Sequence, residues 1–543
     1  MRLTKIVIQN FKCFKNRFTL ELKDGLNIIV GDNEAGKSTI LEAINLVLTG
    51  SIGGKPIKGE ISQYLFNVES LKGYFENVAA GKGADLPSIL IEAYMEGDEL
   101  SFFEGDGNSQ KQAGCGVSLE IKFDDKFREE YSALLEQKNI KTLPVEYYDF
   151  SWKSFSRDGV TSRSIPLKCA FIDSSSTRYI NGSDIYISRI VKELLTTEEI
   201  VGVAQAHRNM AQGFMIDQAV SKINERISKA ANITKKDVKL SAELFSKHAW
   251  ENSLTTYLDD VPFHHIGKGE QCIVKTNLAL SHNKTKQAST ILLEEPENHL
   301  SHAKLSELVA AIDANSSGKQ VIMTTHSSFV ANKLGLANLI LLNDRMTLRL
   351  SSLQKGTQNF FKKIAGYDTL RLILCKKAIL VEGDSDELII QKAYLKKHGK
   401  LPIMDGVDII SVGTSFLRFL EIAKPLKKPV SVVTDNDGDV EAINKKYADY
   451  LDLEKDGIQI CFDPIVDKGE LLIGDSKFNY NTLEPKLLKA NDLKLFNEIF
   501  GTTCLNEDEL HKHMKAKKTE CALALFETDK EIKFPEYVEN CIV

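Results

Sequence analysis

The chain is 543 residues long, with 43% hydrophobic and 27% charged residues and a formal net charge of −6. At roughly one domain per 100–200 residues, this length excludes a single small module, and the balance of residue types excludes a fibre or a disordered chain. The acidic charge argues against holding nucleic acid by bulk charge, yet leaves room for a basic groove beside an acidic metal site. No apolar run approaches the ~18–20 residues of a membrane span, and a strand-like stretch begins at Met1, so a cytoplasmic protein without a membrane partner is expected. The nine cysteines are scattered and never spaced C-x-x-C, which reads as reduced thiols.

In chain order, the first clear unit is an apolar strand, Leu26 to Val30, then a glycine-containing loop, then a helix with an apolar face at Ile40, Leu41, Ile44 and Leu48. The loop, Gly31-Asp32-Asn33-Glu34-Ala35-Gly36-Lys37-Ser38, satisfies G-x-x-x-x-G-K-[ST], whose backbone N–H groups cradle phosphates at a helix N-terminus. Gly31 and Gly36 permit the wrap, Lys37 reaches the terminal phosphates, and Ser38 offers a hydroxyl to Mg²⁺. Asn33 and Thr39 complete the candidate ATP-binding residues of this loop. Strands are expected at Ser88–Tyr94 and Val117–Phe123, with a hairpin-like loop between them. From about Asp184 to Ala249 the pattern turns helical, with Ile187, Ile190, Val191 and Leu194, then Met215, Ala219, Ile223 and Ile227. This stripe serves equally as a core-facing pair or a dimer seam, so residues 184–250 form a helical insert with a dimerisation role open to it.

Thr290 to Glu295 is an apolar strand ending in two carboxylates, of which Glu294 would orient the Mg²⁺ water shell and Glu295 would polarise an attacking water. Gly267-Lys268-Gly269-Glu270-Gln271 precedes it, Pro296-Glu297-Asn298-His299-Leu300 follows, and a further apolar strand, Val321 to Thr325, ends at His326. That series resembles the ABC-type ATPase heads of the SMC, Rad50 and RecF group: P-loop, signature, Walker B, D-loop, switch histidine. The resemblance implies ATP sandwiched between two heads, hence a homodimer, with Gly267, Gly269 and Gln271 as the signature and His326 on the γ-phosphate. The signature is degenerate, and Glu294 stands where many such proteins carry aspartate. Gln63 is a candidate Q-loop residue. No sustained heptads lie between Lys37 and Glu294, which removes a cohesin-like reading. The His264–His265 and Phe102–Phe103 pairs read as structural.

The ATPase domain is placed at residues 1–345, a basic helical linker at 346–370, and a second α/β domain at 371–543. Apolar strands at 378–381, 408–412, 430–434 and 458–462 alternate with helical stretches, the pattern of a parallel sheet. Glu382 ends the first, and Asp435-Asn436-Asp437 ends the third. Strand alternation would turn Asp435 and Asp437 to one side, where they and Glu382 could share Mg²⁺ or Mn²⁺. Strand-Glu-Gly followed by strand-Asp-x-Asp resembles a Toprim domain, and an ABC-type head with a C-terminal Toprim resembles the OLD (overcoming lysogenization defect) family of nucleases.

That resemblance implies Asp386 and Glu484 as further metal ligands and Lys518 as an active-site lysine. With Glu382, Asp435 and Asp437 they would cut a phosphodiester by metal-activated water. Relatives in Gabija and some retron systems imply an antiphage DNA endonuclease or nickase under nucleotide control. They also imply a partner such as a helicase or a reverse transcriptase with its RNA–DNA product, and leave open whether the assembly is a homodimer or a higher homo-oligomer. The alternative is a RecF-like DNA-binding ATPase clamp in repair, with the Toprim part only scaffolding. A topoisomerase would require a tyrosine-bearing cleavage domain for which the C-terminal part leaves little space.

Overall fold

The computed structural model describes the chain except residues 82–85, 137–139, 174–178, 181–182, 185–194, 231–239, 241–256, 282–289, 299, 316–318, 328–329, 331–333, 335, 364–366, 452, 455–456 and 543. By its internal contacts the chain divides into two compact units: Met1–Asn27 with Ser38–Thr324, and Ile28–Lys37 with Thr325–Val543. The fold is α/β with parallel sheets.

In the first unit an antiparallel sheet runs Phe18–Glu21, Arg2–Gln9, Ile89–Glu96, Gly114–Phe123, Tyr148–Ser154. Ile91 lies opposite Leu119, so the chain between these two strands is the connection of a hairpin. A second ladder is parallel: Cys169–Asp173, Thr290–Glu294 and Gln320–Thr325. All six residues of Gln320–Thr325 are buried, which is why this strand reads as a continuous run rather than an alternation. Its one long polar side chain has a structural task. Gln320 Oε1 accepts from the Leu3 N–H at 2.9 Å, and Nε2 donates to the carbonyls of Leu3 at 2.7 Å and Lys23 at 2.9 Å. The glutamine thereby ties the parallel ladder to the antiparallel sheet.

Two helices of the expected insert are described, Thr197–Ile216 and Gln218–Ala230. The first opens on a capping box between Thr196 and Glu199. Ile187, Ile190, Val191 and Leu194 lie outside the described residues, as does His299.

In the second unit the strand Leu26–Gly31 pairs in parallel with Leu339–Asn343, placing Gly31 beside Leu342. A Cβ on Gly31 would come within 2.5 Å of the Leu342 carbonyl oxygen, so glycine is required by this close approach. The stretch expected as a linker carries elements of its own. Met346–Arg349 pairs antiparallel with Leu339–Asn343, and helices Lys355–Lys363 and Tyr367–Leu374 follow.

Beyond them, four parallel strands lie in the order Val407–Ser411, Lys377–Val381, Val430–Val433, Ile458–Cys461. Their connections include helices Asp384–His398, Phe416–Ala423 and Val440–Lys446. The two central strands, Lys377–Val381 and Val430–Val433, are consecutive neighbours, and functional groups in such sheets collect beyond the carboxyl ends of the strands. Val381, Val433, Ile389, Ile390, Leu483 and Leu487 share the core beneath those ends.

Replacing Gln320 by leucine keeps the volume and leaves the Leu3 N–H and C=O buried without that partner. The expected loss is about 2–3 kcal/mol of unfolding free energy, read by urea denaturation; an unchanged midpoint would contradict the tie between the sheets.

Candidate nucleotide loop and candidate metal centre

The phosphate-binding loop is held open by glycine at one point in particular: Gly36 has φ +105°, a conformation that a side chain would strain. Lys37, at the start of helix Lys37–Thr49, is buried, and its Nζ donates to the carbonyls of Gly31 at 2.8 Å and Asp32 at 3.0 Å. Such carbonyl partners hold the ammonium over the loop until an anion replaces them. Asn33 and Ser38 are exposed, so the serine hydroxyl is open to a ligand. Thr39 is buried instead, with its Oγ1 3.6 Å from the Cys13 thiol.

Glu294 ends its strand in register with Asp173 and Thr324. Glu295 then turns into left-handed backbone at φ +38°, held by its N–H to the Thr324 carbonyl at 3.1 Å, while Oε2 accepts from Asn298 Nδ2 at 3.3 Å. Strain of this kind on a non-glycine residue persists only where neighbours enforce it.

Gly267 is exposed before helix Lys268–Ser281, and Gly269 lies in the helix's first turn. Gln271 is buried, and its Nε2 donates to the carbonyls of Phe263 at 3.0 Å and Ile266 at 2.8 Å, which shapes the turn presenting Gly267. The Cys272 thiol donates to the Pro296 carbonyl at 3.1 Å, joining this helix to the segment after Glu295. Gln63 accepts from the Leu143 N–H at 3.2 Å, and His326 is exposed at the end of its strand.

The C-terminal carboxylates make the more unusual site. Glu382 follows the strand Lys377–Val381, and its Oε1 accepts from Thr434 Oγ1 at 3.0 Å. Gly383 opens the helix Asp384–His398, in which Asp386 Oδ2 accepts the Gly383 N–H at 2.9 Å. Acidic residues in this first turn are favoured by the helix dipole, as are Lys396, Lys397 and His398 in the last. Asp386 is buried, and its Oδ1 has no hydrogen-bond partner.

Glu484, from helix Leu483–Ala490, pairs through Oε1 with Lys518 Nζ at 2.9 Å. Lys518 begins helix Lys518–Glu527, whose far end is fixed by Lys392 Nζ donating to the carbonyls of Phe526 at 2.9 Å and Thr528 at 2.6 Å. Residues far apart in sequence therefore meet at one place.

The electrostatics record that meeting. Burial, then the charges of Asp386, Glu382 and Glu484, push the Asp435 carboxyl up to about 9, against the opposing pull of Lys518. Burial, with Glu484 and Glu382, pushes Asp386 up to about 6, again opposed by Lys518. Burial acts to lower Lys518, but Glu484, Asp386 and Asp435 outweigh it and its pKa is raised.

Asp437 departs from the expected alternation. The strand ends at Val433, Asp437 sits in left-handed backbone at φ +48°, and its exposed Oδ1 accepts from Asn479 Nδ2 at 2.8 Å. Period-two facing applies only within a strand, so Asp437 is turned to Asn479 while Asp435 faces Glu382, Asp386 and Glu484. Thr434 was not singled out from sequence, though it directly precedes Asp435 and orients Glu382.

The all-oxygen donor set and the orphaned Asp386 oxygen fit a hard divalent cation. Among the described residues no three His, Cys, Asp or Glu side chains are already drawn in closely enough to cage an ion, and Lys518 takes an oxygen of Glu484. A cation there would relieve repulsion that now favours protons on Asp435 and Asp386.

A sign follows for stability. A carboxyl raised to about 9 favours folding below its unfolded value of about 3.9, and that contribution is lost as pH climbs toward 9. Asp435→Asn removes the loss. In EDTA at pH 8 the variant is expected to melt about 2–6 °C above the parent, and Mg²⁺ to stabilise the parent only; a variant that melts lower would refute the repulsion.

Both parts of the chain resemble known proteins. Residues 1–331 match the family described as AAA ATPase domain, and residues 373–437 match the overcoming lysogenization defect protein-like TOPRIM domain. The Old nuclease of Escherichia phage P2 is 21% identical over 562 aligned positions, covering 95% of this chain and 90% of that protein. The OLD nuclease of Thermus scotoductus is 24% identical, covering 80% of this chain and 82% of that protein. The chromosome partition protein Smc of Halobacteriovorax marinus is 40% identical over 72 residues, so this chain spans only 6% of that protein's length. The chain belongs to the AAA ATPase domain family and joins that domain to an OLD-like TOPRIM domain, the arrangement of the OLD family.

Proposed function

We propose that this protein is a divalent-metal-dependent DNA endonuclease or nickase, regulated by ATP and serving in antiphage defence. The observation that carries the reading is the cluster of Glu382, Asp386, Asp435 and Glu484 around Lys518, because a scaffold has no use for partly buried carboxylates that repel one another. The names of the phage P2 and Thermus relatives, both nucleases, support it. In this reading the four carboxylates hold Mg²⁺ or Mn²⁺, which when bound supplies an activated water and neutralises charge on the phosphodiester. Lys518 exchanges its pairing with Glu484 for the substrate phosphate, and Thr434 keeps Glu382 in its rotamer. The defence role, with a helicase or reverse transcriptase as partner, rests on the resemblance to the nucleases of Gabija and retron systems.

ATP would bind at Gly31, Asn33, Gly36, Lys37, Ser38 and Thr39, with Glu294, Glu295, Gly267, Gly269, Gln271 and His326 in the roles that the motif order implies. Control by nucleotide is supported by contacts within the second compact unit. Asn343, one residue past the Leu342 neighbour of Gly31, donates through Nδ2 to the Leu426 carbonyl at 3.0 Å. Its Oδ1 accepts from Lys428 Nζ at 3.3 Å, and the same buried ammonium donates to the carbonyls of Ile373 at 2.9 Å and Cys375. Burial lowers the Lys428 pKa, and the charge of Asp32 in the phosphate loop opposes that fall. Lys428 stands just before the strand Val430–Val433 that leads to Asp435. Assembly as a homodimer is supported by exposed Val201, Met210, Phe214 and Ile216 on one insert helix and Ile223 on the next.

Supercoiled plasmid is the test. With Mg²⁺ or Mn²⁺ the protein is expected to yield nicked circles, and Asp435→Asn to lose this activity by about 100-fold or more while still binding ATP. Undiminished cleavage by the variant, or relaxed closed circles, would overturn the reading. In the same assay Asn343→Ala is expected to bring the ratio of rates with and without ATP toward one while leaving the rate without ATP within about twofold. A ratio equal to the parent's would remove this route of control.

A further inference from the structure

The loop after the strand Ile458–Cys461 uses buried polar side chains to hold an apolar tip in solvent. Asn436, 2% exposed, donates through Nδ2 to the carbonyls of Asp463 at 2.6 Å and Ile465 at 3.1 Å. Lys486 is buried as well; its Nζ donates to the Ile465 carbonyl at 2.7 Å and pairs with the carboxylates of Asp463 at 2.8 Å and Asp467 at 2.6 Å. Asn481 closes the other side, with Oδ1 accepting from the Asp467 N–H at 2.7 Å and Nδ2 donating to the Asp467 carbonyl at 2.9 Å. Between these clamps Ile465 and Val466 are 58% and 36% exposed.

Single exposed apolar residues need no explanation, but this pair differs in what fixes it. Burying an ammonium and two amides is costly unless they are hydrogen-bonded, and here their bonds go to three residues of one surface loop, Asp463, Ile465 and Asp467. All three clamps also belong to carboxylate-bearing segments. Asn436 adjoins Asp435, while Asn481 and Lys486 flank Glu484, so the tip is held in fixed register with the candidate metal centre.

A site built from carboxylates, on a chain of net charge −6, repels a phosphate backbone. Grip beside such a centre must come in part from contacts that do not depend on charge. Apolar β-branched side chains supply one: inserted at a base step, they unstack it and hold the strand.

We propose that Ile465 and Val466 form a fixed wedge that packs against the sugar and base faces of the DNA strand beside the scissile phosphate and positions it over Glu382, Asp386, Asp435 and Glu484. The proposal rests on the nuclease reading above. The wedge residues touch substrate; Asn436, Asn481 and Lys486 act through them as positioning residues. Exposed Lys468, two residues beyond the tip, can meet the flanking phosphate.

The test compares the full-length protein with the double variant Ile465→Ser/Val466→Ser on two substrates, intact duplex and a duplex with an unpaired step at the cut. The expected result is a loss of about tenfold or more in kcat/KM on intact duplex, largely restored on the pre-opened one, since unstacking is then already done. Melting temperature and Mg²⁺-induced stabilisation are expected to stay at the parent's values, because both side chains are exposed. Parent cleavage with an unimpaired double variant overturns the wedge alone, as does an equal loss on both substrates. A parent protein that cuts neither substrate overturns the nuclease reading and the wedge with it.

Discussion

Mutual repulsion among Glu382, Asp386, Asp435 and Glu484 is the constraint around which the C-terminal unit is arranged. Left in water, these carboxylates would be ionised and apart; burial brings them into one another's field and pushes Asp435 up to about 9. The fold offsets this locally with Lys518, the Thr434 hydroxyl, the Gly383 N–H and the N-terminus of helix Asp384–His398. It does not cancel it. In the proposed metal-dependent function, the stability given up by a site that is unfavourable without a cation would reappear as affinity for one.

That constraint explains why so much chain follows the parallel sheet. The strand ends alone deliver Glu382 and Asp435, and the adjoining helix delivers Asp386. The remaining carboxylate and the amine come from helices Leu483–Ala490 and Lys518–Glu527, which must be fixed against the sheet's own helix or the loop after its last strand to be of use. Lys392 does this for one by donating to the carbonyls at its C-terminus, and Lys486 for the other by pairing with Asp463 and Asp467. Lys486 is buried and Lys392 half-buried, and the value of such a tie is lost if a single partner is removed.

Much of this was legible in the sequence, and the boundary between what was and was not is physical. The parallel strands announced themselves because burial on both faces forces an unbroken apolar run, as within Thr290–Glu294 and Lys377–Val381. The phosphate loop was legible because its glycines are demanded by geometry: Gly36 by its positive φ, Gly31 by the approach of Leu342. Alternation alone does not place Asp437, which lies past the last strand residue in a turn whose direction depends on Asn479 and Asn436. Glu484 and Lys518 carry no periodic signal, and only the family resemblance pointed to them. Thr434, Asn481 and Lys486 act through hydrogen bonds to distant backbone, which no local pattern encodes.

The phosphate loop as far as Lys37 and the carboxylate cluster fall within one compact unit, and the chemistry of their connection bears on how one could govern the other. A strand is nearly inextensible along its length, so displacement at Gly31 is passed to its neighbour Leu342 and to Asn343 beyond it. There the side chain meets Lys428, a buried ammonium bound to the carbonyls of Ile373 and Cys375. Such a group cannot drift by small amounts, because each hydrogen bond it loses leaves charge unsolvated; it either keeps its partners or exchanges them as a set. In the proposed control by nucleotide, two such arrangements at the foot of Val430–Val433 would correspond to cleavage-competent and resting states, and nucleotide would need only to prefer one of them.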